Sequence, residues 1–592
     1  VTAFEVWAPA VSRVRVRLDP PDGTVHEMVG DSGGWWRIEL PELPAGTDYG
    51  FLLGDDDTPL PDPRSRRQPA GVHGPSRLYD QDAYRWSDDG WTGRALPGSV
   101  LYELHVGTFT PGGTFDTAID RLDHLVDLGV DLVEVLPVNA YNGIRNWGYD
   151  GVLWYAVHEP YGGPDGLKRF VDACHARGLG VALDVVYNHL GPSGNYLPRF
   201  GPYLKEGRNT WGALVNLDGP DSDPVRQYIV DNALMWLRDY HIDALRLDAV
   251  HALSDERAVH LLEELATEVD ALSARLGRPL SLIAESDRND PRLVTPRPAG
   301  GYGLAATWDD DVHHCVHAML TGERQGYYAD FGSVAGLAKA FTGAYFHDGS
   351  WSSFRRRHHG REVDRRLTPG HRFVVFLQNH DQIGNRATGD RISATLSDRL
   401  CRVGALLILT SPFTPMLFMG EEWAASSPWQ FFTSHPEPEL AASVLSGRRA
   451  EFAAHGWPSG AVPDPQDPET FAASVLRWEE LAEPRHASMY RFYRRLIALR
   501  QAIPELTDPR LDEVRVDTGA DWLTVHRGQY RIAVNLAGRR RAVPLAGVPV
   551  DVPLATAPGF VYARHEVQLP PHAGAIVRCL PVVRDQPVSV MA

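Results

Sequence analysis

Asp243-Ala-Leu-Arg-Leu-Asp-Ala-Val-His251 is the stretch on which the reading of this chain turns. Its alternation is that of a short strand. Arg246 and Asp248 are two positions apart and share one face, while Leu245, Leu247 and Ala249 take the other. A guanidinium beside a carboxylate keeps that carboxylate ionised and oriented. A carboxylate held in this way can attack an electrophile or stabilise a cation. Taken alone, the stretch fits a buried structural ion pair at a strand end equally well.

Its surroundings decide the fold. Val100–Val106, Leu132–Leu136 and Gly180–Val186 read as strands before it, and Leu280–Glu285, Leu304–Trp308, Phe373–Gln378 and Met416–Met419 as strands after it. Amphipathic segments at 115–128, 164–177, 224–240, 256–276 and 397–409 separate most of them, with Ile119, Leu122, Leu125 and Val126 at helical spacing in the first. Eight strands alternating with helices predict an α/β fold, a (β/α)8 TIM barrel. The rival, an open doubly wound sheet, lacks a glycine-rich dinucleotide turn after an early strand. At the N-terminus Phe4–Pro9, Val14–Leu18 and Trp35–Leu40 alternate between turns at Pro20–Gly23, Asp31–Gly34 and Pro44–Gly46, the pattern of a small β-sandwich. Residues 54–98 read as a connector. Short strands return from Leu511 as a second sandwich. The expected domains are an N-terminal β-sandwich at 1–90, a catalytic barrel at 91–500 and a C-terminal β-sandwich at 501–592.

Composition narrows the partners. The net charge of -18 argues against nucleic acid and anionic membranes. No apolar run approaches the roughly 20 residues of a membrane span, and no signal peptide is visible at Val1. Cys174, Cys315, Cys401 and Cys579 are scattered without a CxxC pair, so neither zinc nor a disulfide framework is indicated, and a cytoplasmic setting is expected.

In a barrel the chemistry sits at the C-terminal ends of the strands. Those ends read Asp184-Val-Val-Tyr-Asn-His189, Arg246-Leu-Asp248, Glu285-Ser-Asp287, Asp309-Asp-Asp-Val-His-His314, Gln378-Asn-His-Asp381 and Gly420-Glu-Glu422. Any one of them fits a structural role. Six gathered on one rim are costly to pack and suggest a site. Glycoside cleavage wants this set, because one carboxyl protonates the leaving oxygen while another meets the cationic anomeric carbon. A metal site is the competing reading of an Asp/His cluster, but no HxH or HExxH spacing occurs, so neither metal nor cofactor is expected.

Four segments, Asp184–His189, Asp243–His251, Leu282–Asp287 and Gln378–Asn385, resemble in order and strand placement the four signature regions of the α-amylase family of glycoside hydrolases. The resemblance implies Asp248 as nucleophile, Glu285 as general acid and then base, and Asp381 as the carboxylate that grips sugar hydroxyls. It implies that Arg246 orients Asp248, that His189 and His380 bind the sugar being cleaved, and that Tyr149, in Trp147-Gly-Tyr-Asp150, stacks under it. The family retains configuration, so Asp248 and Glu285 are expected about 5–5.5 Å apart, with Glu285 protonated at neutral pH. The Asn matching Asn188 helps bind calcium in many family amylases. No acidic cage accompanies it here, and calcium is not expected there.

Within the family, Glu285–Arg292, Gln378–Asn385, Trp308–His314, Phe200–Tyr203 and Gly420–Pro428 resemble the members that cut the α-1,4 bond next to the terminal trehalose unit of maltooligosyltrehalose. The implied pathway partner is the synthase that makes the 1,1 linkage, and a monomer is expected. Candidate contacts for trehalose are Asp310, Asp311, His314, His251, Gln382 and Asn379, with Trp211, Tyr203, Phe200 and Trp429 as aromatic walls. Two alternatives stand beside this reading. One is a glycogen branching or debranching enzyme of the same family. The other is a non-catalytic sugar-binding relic, against which the presence of Asp248, Glu285 and Asp381 weighs.

Overall fold

The computed structural model describes residues 1–19, 23–454 and 462–581, so most of the expected Pro20–Gly23 turn and the last residues of the C-terminal module lie outside the described residues. The centre is a closed parallel barrel. Its strands are β1 (Leu101–Leu104), β2 (Leu132–Val135), β3 (Gly180–Val185), β4 (Ala244–Leu247), β5 (Ser281–Ala284), β6 (Ala306–Trp308), β7 (Phe373–Phe376) and β8 (Thr414–Phe418), in sequence order around the ring. All eight coincide with the strands read from the sequence. The segment expected to be one helix at 115–128 is two, Phe115–Ile119 and Leu122–Leu128.

Side chains alternate along a strand, so each barrel strand sends every second residue inward. The lower interior is apolar. Leu101, Leu132, Ala182, Ala244, Ile283, Ala306, Val374 and Met416 form one buried apolar cluster there. Two residues further along the first four strands the same face carries Glu103, Glu134, Asp184 and Arg246. Glu103 stands beside Glu134 and Asp184 beside Arg246 in the strand register. On these four strands the interior therefore changes from apolar to charged within one step of the pleat, while Trp308 and Phe376 keep β6 and β7 apolar at that level. Leu245 and Leu247 face outward into the main core under the helices, as the alternation requires.

The N-terminal module has two sheets, one of Thr2–Trp7, Trp35–Leu40 and Val29–Gly30, the other of Val25–Glu27, Val14–Leu18, Asp48–Leu53 and Ser76–Arg77. The last of these strands belongs to the stretch read as a connector. This module braces the long segment after β3. Phe200 packs edge-on against Phe51 and Tyr203 against Trp7, and the Ala10 amide donates to the Phe200 carbonyl. Beyond the brace, Leu204–Arg208 and Ala213–Val215 pair as a hairpin with Trp211 at its tip. The C-terminal module has a five-stranded and a three-stranded sheet. The helices Val334–Gly343 and Asp398–Leu409 pack directly against it.

Candidate active site

Arg246 is the hub. Its side chain is fully buried, with its guanidinium 4.3 Å from the ring centre of Trp308 at the end of β6. Its Nη1 donates to Asp184 at 2.9 Å and to Asp248 at 2.7 Å, and its Nη2 lies 3.7 Å from Glu285 Oε2. One flat cation thus touches three carboxyls from three neighbouring strands. Asp248 and Glu285 are held on adjoining nitrogens of a single guanidinium at one mouth of the barrel. The other Asp248 oxygen accepts the Asn188 amide at 2.8 Å, and the same amide also donates to the Asp248 carbonyl at 3.0 Å. Asn188 is therefore engaged with the carboxylate itself. Among the described residues no group of three or more His, Cys, Asp or Glu is arranged to hold a metal ion.

Glu285 is placed by backbone. The Ala249 amide donates to its Oε2 at 2.7 Å, which is possible because Ala249 turns the chain with a φ of 40°. That left-handed conformation costs a non-glycine residue about 1–2 kcal/mol. The strain is the consequence of turning an amide back onto the acid. Burial, reinforced by the charges of Asp248, Asp310 and Asp381 and only partly offset by Arg246, lifts the Glu285 pKa to about 8. Asp184 is raised to about 7, by burial first and also by Asp248, against the opposing pull of Arg246. At neutral pH Glu285 holds a proton it can give away.

A second row of groups completes the floor. Tyr149 OH lies 2.6 Å from Asp184 Oδ2 and 2.8 Å from His380 Nε2, and its ring stacks on His380. Asp381 follows on the same short helix, His380–Gly384, its carboxylate 3.4 Å from His380 Nε2 and half exposed. Asn379 caps that helix by accepting from the Asp381 and Gln382 amides. Gln382 donates to Asp310 at 3.1 Å. His189 is pinned between Asn188 Oδ1 and the Tyr149 carbonyl, and Trp211, 48% exposed, stacks over it at 6.0 Å while lying edge-on to His251. Asp248, Glu285, Asp381, Arg246, Tyr149, His189, His251, His380, Asn379, Gln382, Asp310 and Trp211 thus form one connected group.

Other expected residues stand elsewhere. Asp311 accepts the His347 amide and the Asn289 side chain, each at 2.8 Å, and so ties the chain after β6 to the loop after β5. His314 is packed among Tyr327, Tyr328 and Phe331. Phe200, Tyr203 and Trp429 are buried; the first two serve the N-terminal brace and Trp429 stacks on Trp147. Glu421 and Glu422 leave the rim altogether. Glu421 accepts from Tyr493 and Glu422 from Tyr102, with His124 against the latter, beneath the Pro484–Ala502 helix.

Strand-end reasoning missed two acids. Glu103 lies under His380, and Glu134 lies beside Glu103 with both oxygens unpartnered among the described residues. The signal was available, since each is a carboxylate in the middle of an otherwise apolar barrel strand.

The comparisons agree with this geometry. Residues 75–206 match a model described as the alpha amylase catalytic domain, residues 1–63 one described as carbohydrate-binding module 48 (isoamylase N-terminal domain), and residues 509–576 a domain of unknown function, DUF3459. A malto-oligosyltrehalose trehalohydrolase from Mycobacterium tuberculosis is 58% identical over 90% of this chain and 92% of its own. One from Arthrobacter ramosus is 59% identical over 90% and 92%. A crystal structure described as a putative alpha amylase from Salmonella typhimurium superposes with a TM-score of 0.89 at 37% identity, covering 98% of this chain and 97% of that one. Guanidinium-linked carboxyls at the mouth of a closed barrel and identity at this level over nearly the whole length lead to one assignment: the chain belongs to the malto-oligosyltrehalose trehalohydrolase family, within the glycoside hydrolases of the α-amylase type.

Proposed function

We propose that this chain cleaves the α-1,4-glucosidic bond next to the terminal trehalose unit of maltooligosyltrehalose, with retention of configuration, and so releases trehalose in its biosynthesis. The observation that carries the chemistry is the Asp248–Arg246–Glu285 arrangement, in which one carboxyl is ion-paired and the other keeps its proton to a pKa of about 8. Glu285 gives its proton to the glycosidic oxygen as Asp248 attacks the anomeric carbon, and trehalose leaves with that proton. Glu285 then takes a proton from water, whose oxygen displaces Asp248 and frees the shortened oligosaccharide. Asp381 faces the positive charge that develops on the sugar in each transition state, Arg246 keeps Asp248 ionised and oriented, and Tyr149, His189 and His380 line the sugar's position.

The trehalose end is assigned to Gln382, Asp310, Asn379, His251 and Trp211, which border the carboxyls. Asp311 and His314 act through the loop they pack. The boundaries that go with this reading are 1–90, 91–500 and 501–592. The setting is cytoplasmic, the chain acts as a monomer, and the substrate is supplied by the synthase that forms the 1,1 linkage. The test is product analysis after incubation with maltotriosyltrehalose and with maltopentaose. Trehalose from the first, little cleavage of the second, and an α-anomer at the new reducing end support the reading. Altered branch points in glycogen without trehalose release would transfer the chain to the branching alternative.

A further inference from the structure

The acid under His380 does more than fill the barrel. Glu103 Oε1 accepts from His380 Nδ1 at 2.5 Å, and Glu103 Oε2 accepts the His380 backbone amide at 3.0 Å. Both side chains are buried, and the residues are joined across the barrel neck from β1 to the end of β7. A grip on the ring and on the backbone of the same residue fixes the ring's orientation. We infer that Glu103 is a positioning residue for the reaction proposed above: it holds His380 doubly protonated, so that Nε2–H is a permanent donor aimed between Tyr149 and Asp381 into the sugar pocket. The inference rests on the glycosidase reading for its consequence, though not for its structural content.

Hydrogen-bond bookkeeping supports it. Tyr149 has one hydroxyl proton and two close partners, Asp184 Oδ2 at 2.6 Å and His380 Nε2 at 2.8 Å. Asp184 is also bound by Arg246 Nη1 through both its oxygens and, above its raised pKa of about 7, is an anion. The tyrosine proton therefore goes to Asp184, and its oxygen must accept from His380 Nε2. With Nδ1 donating to Glu103, both ring nitrogens carry protons. Burial works against a charged ring, but Asp381 and Glu103 outweigh it and lift the His380 pKa to about 9.

Two carboxylates face the ring, Asp381 at Nε2 and Glu103 at Nδ1. The titratable and charged groups around it are Glu103 on β1, His105 just after it, Glu134 on β2, Tyr149 in the following loop, Asp184 on β3, Arg246 on β4 and Asp381 on its own helix. His105 is pulled down to about 3 by burial, so it stays neutral. Glu134 is pushed well above the ordinary carboxylate range, first by burial and then by the charge of Glu103. Of the two adjacent acids, Glu134 is the one that keeps a proton, and Glu103 accepts through both of its oxygens. Arg246, on the far side of Tyr149, repels a second cation, which makes a direct anionic contact necessary at Nδ1.

The test reads His380 itself and then turnover. The full chain is labelled with 15N-histidine, His380 is assigned by difference against His380→Gln, and both ring nitrogens are followed from pH 5 to 9.5. The expected result is an imidazolium at pH 7.5 in the wild type and, in Glu103→Gln, a titration lower by about one pH unit or more. For the variant, kcat/KM on maltotriosyltrehalose should fall less than about five-fold at pH 5.5 and at least about ten-fold further by pH 8, with the alkaline limb moved to lower pH. A neutral His380 in the wild type at pH 7 overturns the inference, and so does a loss of activity in the variant that is the same at every pH. The wild-type titration decides the matter even where the variant fails to fold. Because the nitrogen signals need no substrate, failure of the proposed reaction and failure of this inference are told apart.

Discussion

Asp243 and Asp248 stand at opposite ends of the same strand, β4, each beside an arginine, yet the protein treats them in opposite ways. At the lower end every lone pair of Asp243 is used. Its Oδ1 accepts from Trp91 at 2.8 Å and Arg278 at 2.9 Å, and its Oδ2 from His175 at 3.0 Å and the Val181 amide at 2.9 Å. His175 turns its other nitrogen to Asp88, which also receives His241, and Trp91 and Trp86 lie flat on these two rings. At the upper end Asp248 has two side-chain partners, and Glu285, among the described residues, has the Ala249 amide and the more distant Arg246 guanidinium. Both ends are buried charge. The lower one is saturated and holds the chain together, whereas the upper one is left short of donors, and Glu285 there holds its proton beyond the ordinary range. Incomplete satisfaction, rather than the presence of carboxylates, marks the end that does chemistry.

The strongest way to break this comparison is to neutralise one acid at each end. Glu285→Gln and Asp248→Asn should each lower kcat on maltotriosyltrehalose by about a thousand-fold or more, since each removes a proton donor or a nucleophile that no neighbour replaces. Asp243→Asn should leave kcat per folded molecule within about two-fold, because the change is confined to the opposite end of the barrel. A large loss of turnover in Asp243→Asn with normal folding would mean that the two ends are not separate devices.

The next effect is on stability and has the reverse pattern. Asp243→Ala strands Arg278 and His175 without their shared anion, and breaking a buried pair by removing one partner costs about 3–5 kcal/mol. The urea midpoint of the variant should fall accordingly while the fluorescence of the site tryptophans stays native below it. A midpoint within error of the wild type would show that the lower network is dispensable packing.

The two ends also differ in how well they could be read from the chain. The barrel was legible because its eight apolar runs alternate with helix-period segments, a local signal. Asp248, Glu285 and Asp381 were legible as acids closing apolar strands. Glu421 and Glu422 carry the same local signal and serve the packing of Tyr493 and Tyr102, because strand-end position does not say which way a following turn points. Glu103 and Glu134 were hidden by attention to strand ends, though the two-residue period aligns them with Asp184 and Arg246. Phe200, Tyr203 and Trp429 have the composition of a sugar platform and the burial of a core, which composition alone does not separate. The lower network was invisible. Asp88 and Trp91 belong to a stretch that reads as a connector, and their partners lie far away in sequence.

A smaller effect sharpens the comparison by its sign. The raised Glu285 pKa means that the folded state binds this proton more tightly than the unfolded chain does. Its contribution to stability is complete below the ordinary glutamate pKa of about 4.3 and is lost as pH rises toward the folded value of about 8. Glu285→Gln removes that loss. The variant should match the wild type in stability near pH 4.5 and exceed it by about a few kcal/mol at pH 8. An acid whose removal stabilises the protein and abolishes turnover is the counterpart of Asp243, whose removal should do neither. Equal urea midpoints at pH 8 would mean that Glu285 is not held protonated.

The smallest effect concerns the lower end. There the shifts run both ways: His175 is raised, because Asp243 and Asp88 together outweigh the burial that would lower it, and Asp88 is lowered, because two histidines outweigh its own burial. A raised histidine stabilises fully below its unfolded pKa of about 6.5 and less as pH climbs through its folded value, whereas a depressed aspartate stabilises fully above about 3.9 and less as pH falls through its folded value. The network is therefore at full strength between about pH 4 and 6.5. His175→Gln should cost on the order of 1 kcal/mol at pH 6 and measurably less at pH 9, read as a urea midpoint difference that narrows with pH. At the upper end the Glu285→Gln difference has the opposite sign and widens over the same range. A penalty that shrinks while a gain grows would separate the saturated end of the strand from the unsaturated one in a single titration, and a His175→Gln penalty independent of pH would reduce that histidine to a spacer between two aspartates.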